Sequence, residues 1–335
     1  MSTSSPRSDP SYSAPWWLPG GHAQTISASL RPAPGPRFRR SRWETPDGDF
    51  IDVDRAGDPA APLVVLFHGL EGSSQSHYAR ALALASLRAG RQIAIPHFRG
   101  CSGEPNLLPR AYHSGDSDEI DWILRRFASE SGQLDAAGVS LGGNALLKWL
   151  GERGPDAARI VRHAATVSVP YDLAAAGAAL DQGFNRAVYV AHFLSTMKVK
   201  AARKLASFPG LYDAGRLRAV RTLREFDDLV TAPLHGFRDV DDYWRRASSL
   251  PWLAGIRVPT LAINARNDPF LPAEVLVRTA AASSDVLLEF PRTGGHAGFP
   301  SAGGRSWLAE RILDRRLPSA VLRGGTLARF RAQAA

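Results

Sequence analysis

The sequence predicts an α/β fold, a mostly parallel β-sheet with helices on both faces and an inserted helical cap. Two observations indicate it. Short, continuously apolar runs alternate along the chain with segments whose apolar residues recur at helical spacing. The stretch 171–250 interrupts this alternation with a long, mostly helical pattern. Because parallel strands need crossover connections that cover the sheet, the alternation favours a parallel sheet with helices on both faces.

The strands of the predicted core are apolar runs bounded by Gly, Pro or polar residues. The predicted strands are PLVVLFHG (62–69), RQIAIPHF (91–98), QLDAAGVS (133–140), IVRHAATVSVP (160–170), VPTLAINA (258–265) and DVLLEFP (285–291). Helices are predicted over 76–90, which stops at Gly90, over 117–131, where Ser117 and three acids begin the first turn, and over 142–154.

The remaining segments define the predicted domain organisation. Residues 1–40 are rich in Ser, Pro and Gly and are predicted to form an extended N-terminal arm. The core is predicted to span 41–170 and 251–315, with the cap at 171–250 and a basic C-terminal tail at 316–335. In the cap, Tyr189, Val190, Phe193, Leu194 and Met197 form an apolar stripe at helical spacing, which either packs on the core or covers a substrate pocket.

Composition limits the compartment and the partners. The chain has 335 residues, 44% of them hydrophobic, and no apolar run reaches the ~18–20 residues of a membrane span. The N-terminus lacks the basic-then-apolar pattern of a secretory signal. Cys101 is the single cysteine of the sequence, which excludes an intrachain disulfide. These features lead us to expect a cytoplasmic protein.

The net charge of +9 is concentrated at the two ends of the chain. Residues 1–43 carry six Arg and one Asp, and residues 315–335 carry five Arg and no acid. Basic tails suit nucleic acid or an anionic membrane surface. Arg also dominates the rest of the chain, however, and no nucleic-acid motif accompanies the charge. We expect no nucleic-acid partner, and a membrane contact by the tails stays open but unsupported.

Gly138-Val139-Ser140-Leu141-Gly142 is the strongest local signal of function. It matches the pattern G-x-S-x-G where a predicted strand turns into a predicted helix. A nucleophilic serine needs such a tight turn, so that its hydroxyl projects above the edge of the sheet. The pattern in this context indicates a serine nucleophile at Ser140.

A serine nucleophile needs a base, and the base needs an acid that orients it. His296 lies in a Gly-rich loop just after the last predicted strand, on the edge expected to bear Ser140. Asp268 follows the strand 258–265 in the turn Arg-Asn-Asp-Pro and is the preferred acid, because this turn occupies the usual site. Asp172, directly after the strand 160–170, is the alternative acid.

The negative charge that develops during acyl transfer needs two backbone N–H groups as donors. One is predicted at Leu141, directly after the nucleophile. The other is predicted at Leu70, in the loop His68-Gly69-Leu70-Glu71-Gly72 after the strand 62–69.

With these residues the chain resembles the α/β-hydrolases and, among them, the YheT-like branch, whose eukaryotic relatives are the abhydrolase-domain esterases and lipases. The resemblance implies an α/β-hydrolase fold with Ser140 as nucleophile, Asp268 as acid and His296 as base. It covers 15–315 through GHAQT (21–25), HGLEGSS (68–74), HFRGCSGEPN (97–106), YHSGDSDE (112–119), GVSLGGN (138–144), REFDDLVTAPLHGFRDVDDYWRRASS (224–249), RNDPF (266–270) and GGHAGF (294–299). The segments at 97–106 and 224–249 are specific to this branch.

The predicted activity is hydrolysis of carboxylic esters, either short- to medium-chain acyl esters or acylglycerol-like lipids, through an acyl-enzyme on Ser140. No cofactor and no metal are expected, because the sequence contains no metal-ligand spacing and no nucleotide-binding motif. A small-molecule acyl ester is the expected partner. Thioesterase, amidase or acyltransferase activity with the same residues stays open, as does a non-catalytic binding protein on this scaffold.

Overall fold

The fold is built on one β-sheet. The computed structural model describes residues 12–30, 34–303 and 305–314. In these residues, eight strands lie in the order β1-β2-β4-β3-β5-β6-β7-β8. The strands are β1 (Arg39–Glu44), β2 (Phe50–Ala56), β3 (Leu63–Phe67), β4 (Gln92–Pro96), β5 (Leu134–Val139), β6 (Val161–Val167), β7 (Thr260–Ile263) and β8 (Val286–Glu289). β2 pairs antiparallel with both β1 and β4, and the other pairs are parallel, so the predicted mostly parallel sheet is confirmed.

The sequence did not reveal β1 or β2, and of these two β1 differs in burial from the central strands that it predicted. β3, β4 and β5 are buried at every position, as strands covered on both faces must be, and this burial explains their continuous apolar runs. β1 exposes five of its six residues, RRSRWE, and only Trp43 is buried. It pairs with β2 at the edge of the sheet, where polar side chains face solvent and leave no apolar run to recognise.

Helices cover both faces of the sheet. Outside the cap they are α1 (Gly20–Leu30), α2 (His77–Arg88), α3 (Ser117–Ser131), α4 (Leu141–Arg153), α12 (Ala273–Arg278) and α13 (Trp307–Leu313). One apolar cluster joins the sheet to α3 and α4, and a second cluster joins it to α2 and α13. α3 begins after Asp116, whose side chain accepts the N–H of Glu119, and it ends at Gly132.

The N-terminal arm differs from the prediction. Residues 1–40 were expected to be extended and poorly packed, yet α1 lies within them and buries Gln24 and Thr25. Its sequence, GGHAQTISASL, has only a short apolar pattern, because the residues that it buries, Gln24 and Thr25, are polar. Residues 1–11 and the predicted tail at 316–335 lie outside the described residues.

The cap segment, residues 171–250, is helical between β6 and β7. Its helices are α5 (Leu173–Leu180), α6 (Gly183–Asn185), α7 (Ala191–Ser207), α8 (Ala214–Ala219), α9 (Leu223–Phe226), α10 (Ala232–Leu234) and α11 (Val240–Ala247), with π-helical turns at Arg186–Val190 and Asp227–Thr231. The segment has an apolar cluster of its own, the cap cluster, which contains Leu194 and Met197 from α7 and Phe226 from α9. In the part of the chain that the structure describes, no helix has the length and apolar character to cross a membrane.

Candidate active site

Ser140 lies on the turn between β5 and α4, in a backbone conformation that residues other than glycine rarely adopt. Its φ is 54° and its ψ is −120°. The turn is tight enough to exclude side chains on either side. A Cβ at Gly138 would lie 2.7 Å from the carbonyl oxygen of Gly142, and one at Gly142 would lie 2.4 Å from that of His68. The two glycines of G-x-S-x-G are therefore required by close backbone approach.

His296 reaches Ser140 from the loop after β8. Its Nε2 lies 2.9 Å from the Ser140 Oγ. Its Nδ1 lies 3.0 and 3.1 Å from the two carboxylate oxygens of Asp268. With the proton on Nδ1, the ring donates to the carboxylate and accepts the hydroxyl proton of Ser140. The structure thus brings together the three residues that the sequence singled out.

Asp268 is buried in the turn that follows β7, with a side chain only 1% exposed. Besides His296, its carboxylate accepts the backbone N–H of Phe270. The alternative acid, Asp172, has other partners. It caps α5 by accepting the N–H groups of Ala174 and Ala175, and it pairs with Arg278 at 2.5 Å.

The loop after β3 lies against the Ser140 turn. A Cβ at Gly69 would lie 3.2 Å from the Ser140 Cβ, and the Gly69 N–H donates to the Tyr78 hydroxyl at 2.8 Å. Leu70 follows, and among the hydrogen bonds of the described residues its N–H has no acceptor. Leu141, the other predicted donor, is the first residue of α4. The first N–H groups of a helix have no partner within the helix.

His68 fixes the start of this loop as a buried, neutral histidine. The Phe98 N–H donates to its Nε2 at 3.1 Å, so the ring proton lies on Nδ1, which is 2.8 Å from the Gly69 carbonyl oxygen. Burial lowers the pKa of His68 to about 3, which keeps the ring neutral at physiological pH. The ring therefore joins the loop to the end of β4.

The N-terminal helix positions the His296 loop, a role that the sequence did not reveal. The Thr25 hydroxyl accepts the His296 N–H at 2.8 Å and donates to the Gly21 carbonyl at 2.7 Å. The Gln24 side-chain oxygen accepts the Gly294 N–H at 2.8 Å and the Asn267 amide at 2.9 Å. GHAQT was part of the family resemblance, and this was the one available signal of the contact.

Aromatic residues join the cap cluster to the site. The Phe270 ring stacks on the His296 ring, with centroids 4.0 Å apart and planes 22° apart. Phe270 belongs to the cap cluster and meets Tyr189 edge-on at 4.7 Å. Leu70 packs partly buried against the same cluster. The apolar stripe of 189–197 thus packs chiefly within the cap segment, and its cluster adjoins both the histidine and the loop after β3.

Among the described residues, no group of three or more His, Cys, Asp or Glu side chains is arranged to hold a metal ion. The site consists of a serine, a histidine and a carboxylate, next to backbone N–H groups and an apolar cluster. Such an arrangement can activate a hydroxyl toward an acyl carbonyl.

Comparison with known proteins identifies the family of this chain. A family model described as "alpha/beta hydrolase fold" matches residues 62–302. The chain belongs to this family. The Escherichia coli (strain K12) protein named "Putative esterase YheT" is 42% identical over 286 residues, which cover 82% of this chain and 83% of that protein. The predicted resemblance to the YheT-like α/β-hydrolases is confirmed.

More distant relatives carry the names of lipid and ester hydrolases. The Homo sapiens "Phospholipase ABHD3" is 28% identical over 299 residues, covering 84% of this chain and 72% of that protein. The Saccharomyces cerevisiae "Monoacylglycerol lipase" is 28% identical, covering 81% of this chain and 62% of the lipase. These names support an ester hydrolase in general terms.

Solved structures support the fold. The "Esterase (EaEST)" from Exiguobacterium antarcticum superposes with a TM-score of 0.54 at 17% identity, covering 82% of this chain and 97% of the esterase. The "Thioesterase Domain From Curacin Biosynthetic Pathway" has the same TM-score, also at 17% identity, and covers 83% of this chain and 100% of the domain. Likeness at this identity is evidence for the α/β-hydrolase fold alone.

Proposed function

We propose that this chain hydrolyses carboxylic esters, short- to medium-chain acyl esters or acylglycerol-like lipids, through an acyl-enzyme on Ser140. One observation carries the proposal. The Ser140 hydroxyl lies 2.9 Å from a histidine nitrogen whose ring is held on its other side by a buried carboxylate. This is the order of groups that turns a weak hydroxyl nucleophile into a strong one.

In the first half of the reaction, Ser140 attacks the acyl carbon and its proton passes to Nε2 of His296. The carbonyl double bond opens and its oxygen takes the negative charge, which the N–H groups of Leu70 and Leu141 stabilise. Asp268 stabilises the imidazolium and keeps the ring oriented. The tetrahedral intermediate collapses, the carbon–oxygen bond to the alcohol breaks, and His296 protonates the departing alcohol.

In the second half, water takes the place of the alcohol. His296 removes a proton from that water, whose oxygen attacks the acyl carbon of the Ser140 ester. Collapse of the second intermediate breaks the bond to the Ser140 oxygen, which regains its proton from His296. The carboxylic acid leaves, and the site returns to its starting state without any cofactor.

The surroundings of His296 favour an apolar acyl group. Phe270 covers one face of the imidazole, and the cap cluster continues from it through Tyr189. An aliphatic chain lying along these rings would be removed from water, a transfer that contributes about 0.8 kcal/mol for each buried CH₂. The relatives named phospholipase and monoacylglycerol lipase agree with a substrate of this kind.

A serine-reactive fluorophosphonate probe and a panel of acyl esters of increasing chain length test the proposal on the purified protein. We expect the probe to label Ser140 in the folded protein, with heat-denatured protein as the control, and we expect turnover of esters. Ser140→Ala should abolish both. Turnover of thioesters or amides in strong preference to oxygen esters would reassign the substrate. A wild-type protein that neither binds the probe covalently nor turns over any acyl substrate would favour a non-catalytic binding protein.

A further inference from the structure

Glu71, directly after Leu70, has a backbone conformation that costs free energy. Its φ is 56°, in the left-handed region that residues with a Cβ rarely adopt. Glycine adopts this region readily, and Gly69 and Gly72 lie two residues before and one residue after. A glutamate at a position where glycine would be unstrained points to a requirement for its side chain.

The Glu71 side chain has partners from two different segments. The Tyr112 hydroxyl donates to its Oε1 at 2.8 Å and accepts the Glu71 backbone N–H at 3.0 Å. The Lys200 ammonium donates to the same Oε1 at 2.8 Å. The carboxylate is thus held from the core by Tyr112 and from the cap segment by Lys200, on helix α7.

Lys200 is paired with Glu71 as a charged group. Its Nζ also lies 3.5 Å from the Cys101 Sγ. Burial raises the pKa of the Cys101 thiol to about 12, so this thiol is neutral at physiological pH and the ammonium pairs with the carboxylate. The Glu71 side chain is 10% exposed and that of Lys200 is 38% exposed. A pair this shielded from solvent on one side is oriented more strictly than a surface pair.

The Tyr112 ring stacks on another aromatic ring of the core. Its ring lies parallel to that of Phe98, with centroids 5.4 Å apart. Phe98 in turn meets the buried His68 ring edge-on at 4.7 Å. The residues on both sides of Leu70 are therefore anchored: His68 and Gly69 to the core, and Glu71 to Tyr112 and Lys200. The Leu70 peptide group lies between these anchors.

We propose that Lys200 is a positioning residue for ester hydrolysis, which acts through Glu71 to keep the Leu70 N–H directed at the oxygen of the tetrahedral intermediate. This inference rests on the proposed function. It makes a complete site depend on the cap segment, because Lys200 is part of α7. Without the Lys200 ammonium, the Leu70 peptide loses one of its supports.

Helix α7 offers a matched control. Lys204 lies one turn beyond Lys200 and also joins the cap segment to the core. Its ammonium donates to the carbonyl oxygens of Asn106 and Leu108, and it has no contact with Glu71 among the described hydrogen bonds. A variant at Lys204 therefore weakens the seating of the cap without touching the Glu71 carboxylate.

The experiment compares Lys200→Met with Lys204→Met in ester turnover and in amide hydrogen exchange of residues 68–72. Loss of a whole oxyanion donor lowers kcat by about 10²–10³-fold. For Lys200→Met we expect roughly a tenth of that loss, a 10- to 100-fold lower kcat with KM changed less than threefold, and faster exchange in 68–72. Lys204→Met should leave both kcat and the exchange of 68–72 near wild type. Lys200→Arg should recover most of kcat, because it restores a cation within reach of Glu71.

Glu71→Gly separates backbone from side chain. It removes the cost of the positive φ together with the carboxylate that accepts from Tyr112 and Lys200. These contributions oppose each other, so the melting temperature should stay near wild type, while kcat should fall as in Lys200→Met. Wild-type kcat in Glu71→Gly, or equal losses in Lys200→Met and Lys204→Met, would overturn the positioning role. Hydrogen exchange does not depend on turnover. An inactive wild type whose 68–72 segment still responds to Lys200→Met alone would therefore refute the esterase and leave the mechanical link intact.

Discussion

Two clusters among the described residues each join a serine, a histidine and an aspartate, and of these two only the Ser140 site is arranged for nucleophilic chemistry. The first is the Ser140 site. In the second, Asp54 on β2 accepts from the Ser74 hydroxyl at 2.6 Å and lies 3.0 Å from His97 Nε2, with Arg40 paired to the same carboxylate. The residue types are the same, so composition alone cannot distinguish the two.

The order of the groups differs between the two clusters. At the Ser140 site the histidine lies between the serine and the carboxylate, so the serine proton can pass to a base. In the second cluster the carboxylate lies between Ser74 and His97. Ser74 therefore donates to a carboxylate that is already paired with Arg40. The histidine of this cluster contacts the carboxylate and not the serine hydroxyl, so it cannot accept the serine proton.

Burial and backbone conformation also separate the clusters. Ser74, His97 and Asp54 are 0 to 2% exposed, closed to any substrate. Ser140 is partly exposed and has a positive φ. The comparison teaches that nucleophilic chemistry requires the histidine to lie between the serine and the carboxylate, and requires the serine to be accessible. The same side chains in another order connect strands and loops.

The largest effect should come from exchanging each serine for alanine. Ser140→Ala is expected to lower ester turnover by about 10³–10⁶-fold, because the nucleophile is lost, with the melting temperature unchanged. Ser74→Ala should keep turnover and lower stability by about 1–3 kcal/mol, because it removes a buried hydrogen bond. Steady-state kinetics and thermal unfolding of both variants measure the contrast. Comparable loss of turnover in both would break the comparison.

The acid is tested next. Asp268→Asn should lower turnover by up to about 10⁴-fold, because a neutral amide favours the wrong tautomer of His296. Asp172→Asn should change turnover little, since Asp172 caps a helix and pairs with Arg278. The kinetic constants of the two variants at one pH decide between them. The reverse ranking would move the acid to the position after β6.

Asp54 should contribute to the free energy of unfolding, by an amount that depends on pH. Burial alone would raise its pKa, but hydrogen bonds from Arg40, His97 and Ser74 outweigh this and lower the pKa well below its usual value. A lowered pKa stabilises the folded state above the unfolded value of about 3.9, and this contribution is lost as the pH falls.

Asp54→Asn is therefore expected to lower the free energy of unfolding by about 3 kcal/mol at pH 7, with the deficit shrinking below pH 4. Urea unfolding of wild type and variant from pH 3 to 7 measures it. A deficit that is constant over this range would contradict the pKa argument. The turnover of folded Asp54→Asn should stay near wild type.

The smallest effect is expected in the cap cluster. Phe193→Ala and Met197→Ala should shift the preferred acyl-chain length, with discrimination of at most about 1–3 kcal/mol for each methylene. Phe193 is only partly buried against the cluster, whereas Met197 is 8% exposed. Ester panels together with melting temperatures separate the two roles. A loss of about 2–5 kcal/mol in stability with unchanged chain preference in both variants would assign the stripe to packing alone.

Sequence reasoning succeeded where one physical requirement dominates a segment. Strands β3, β4 and β5 are buried throughout and are therefore mostly apolar, and the Ser140 turn must have glycines on both sides, so both leave clear patterns. The prediction for His296 followed from the rule that loops after parallel strands share one edge of the sheet, and that for Asp268 from the Arg-Asn-Asp-Pro turn after a predicted strand.

The features that the sequence did not reveal depend on contacts between distant polar residues. The polar edge strand β1 has no apolar run, and the residues that α1 buries, Gln24 and Thr25, are polar. The pair of Glu71 and Lys200 joins residues 129 positions apart. No local pattern of residue types encodes such partners, because charged side chains at these spacings are far more often exposed to solvent.

The hydrogen bond between Thr25 and the His296 N–H spans 271 positions of the chain. During synthesis the N-terminal residues emerge first, and chains begin to fold from that end. The Ser140 turn can therefore form while the histidine that activates it is not yet translated. His296 follows Ser140 by 156 positions, so under the proposed mechanism a product that ends before His296 carries a serine without its base.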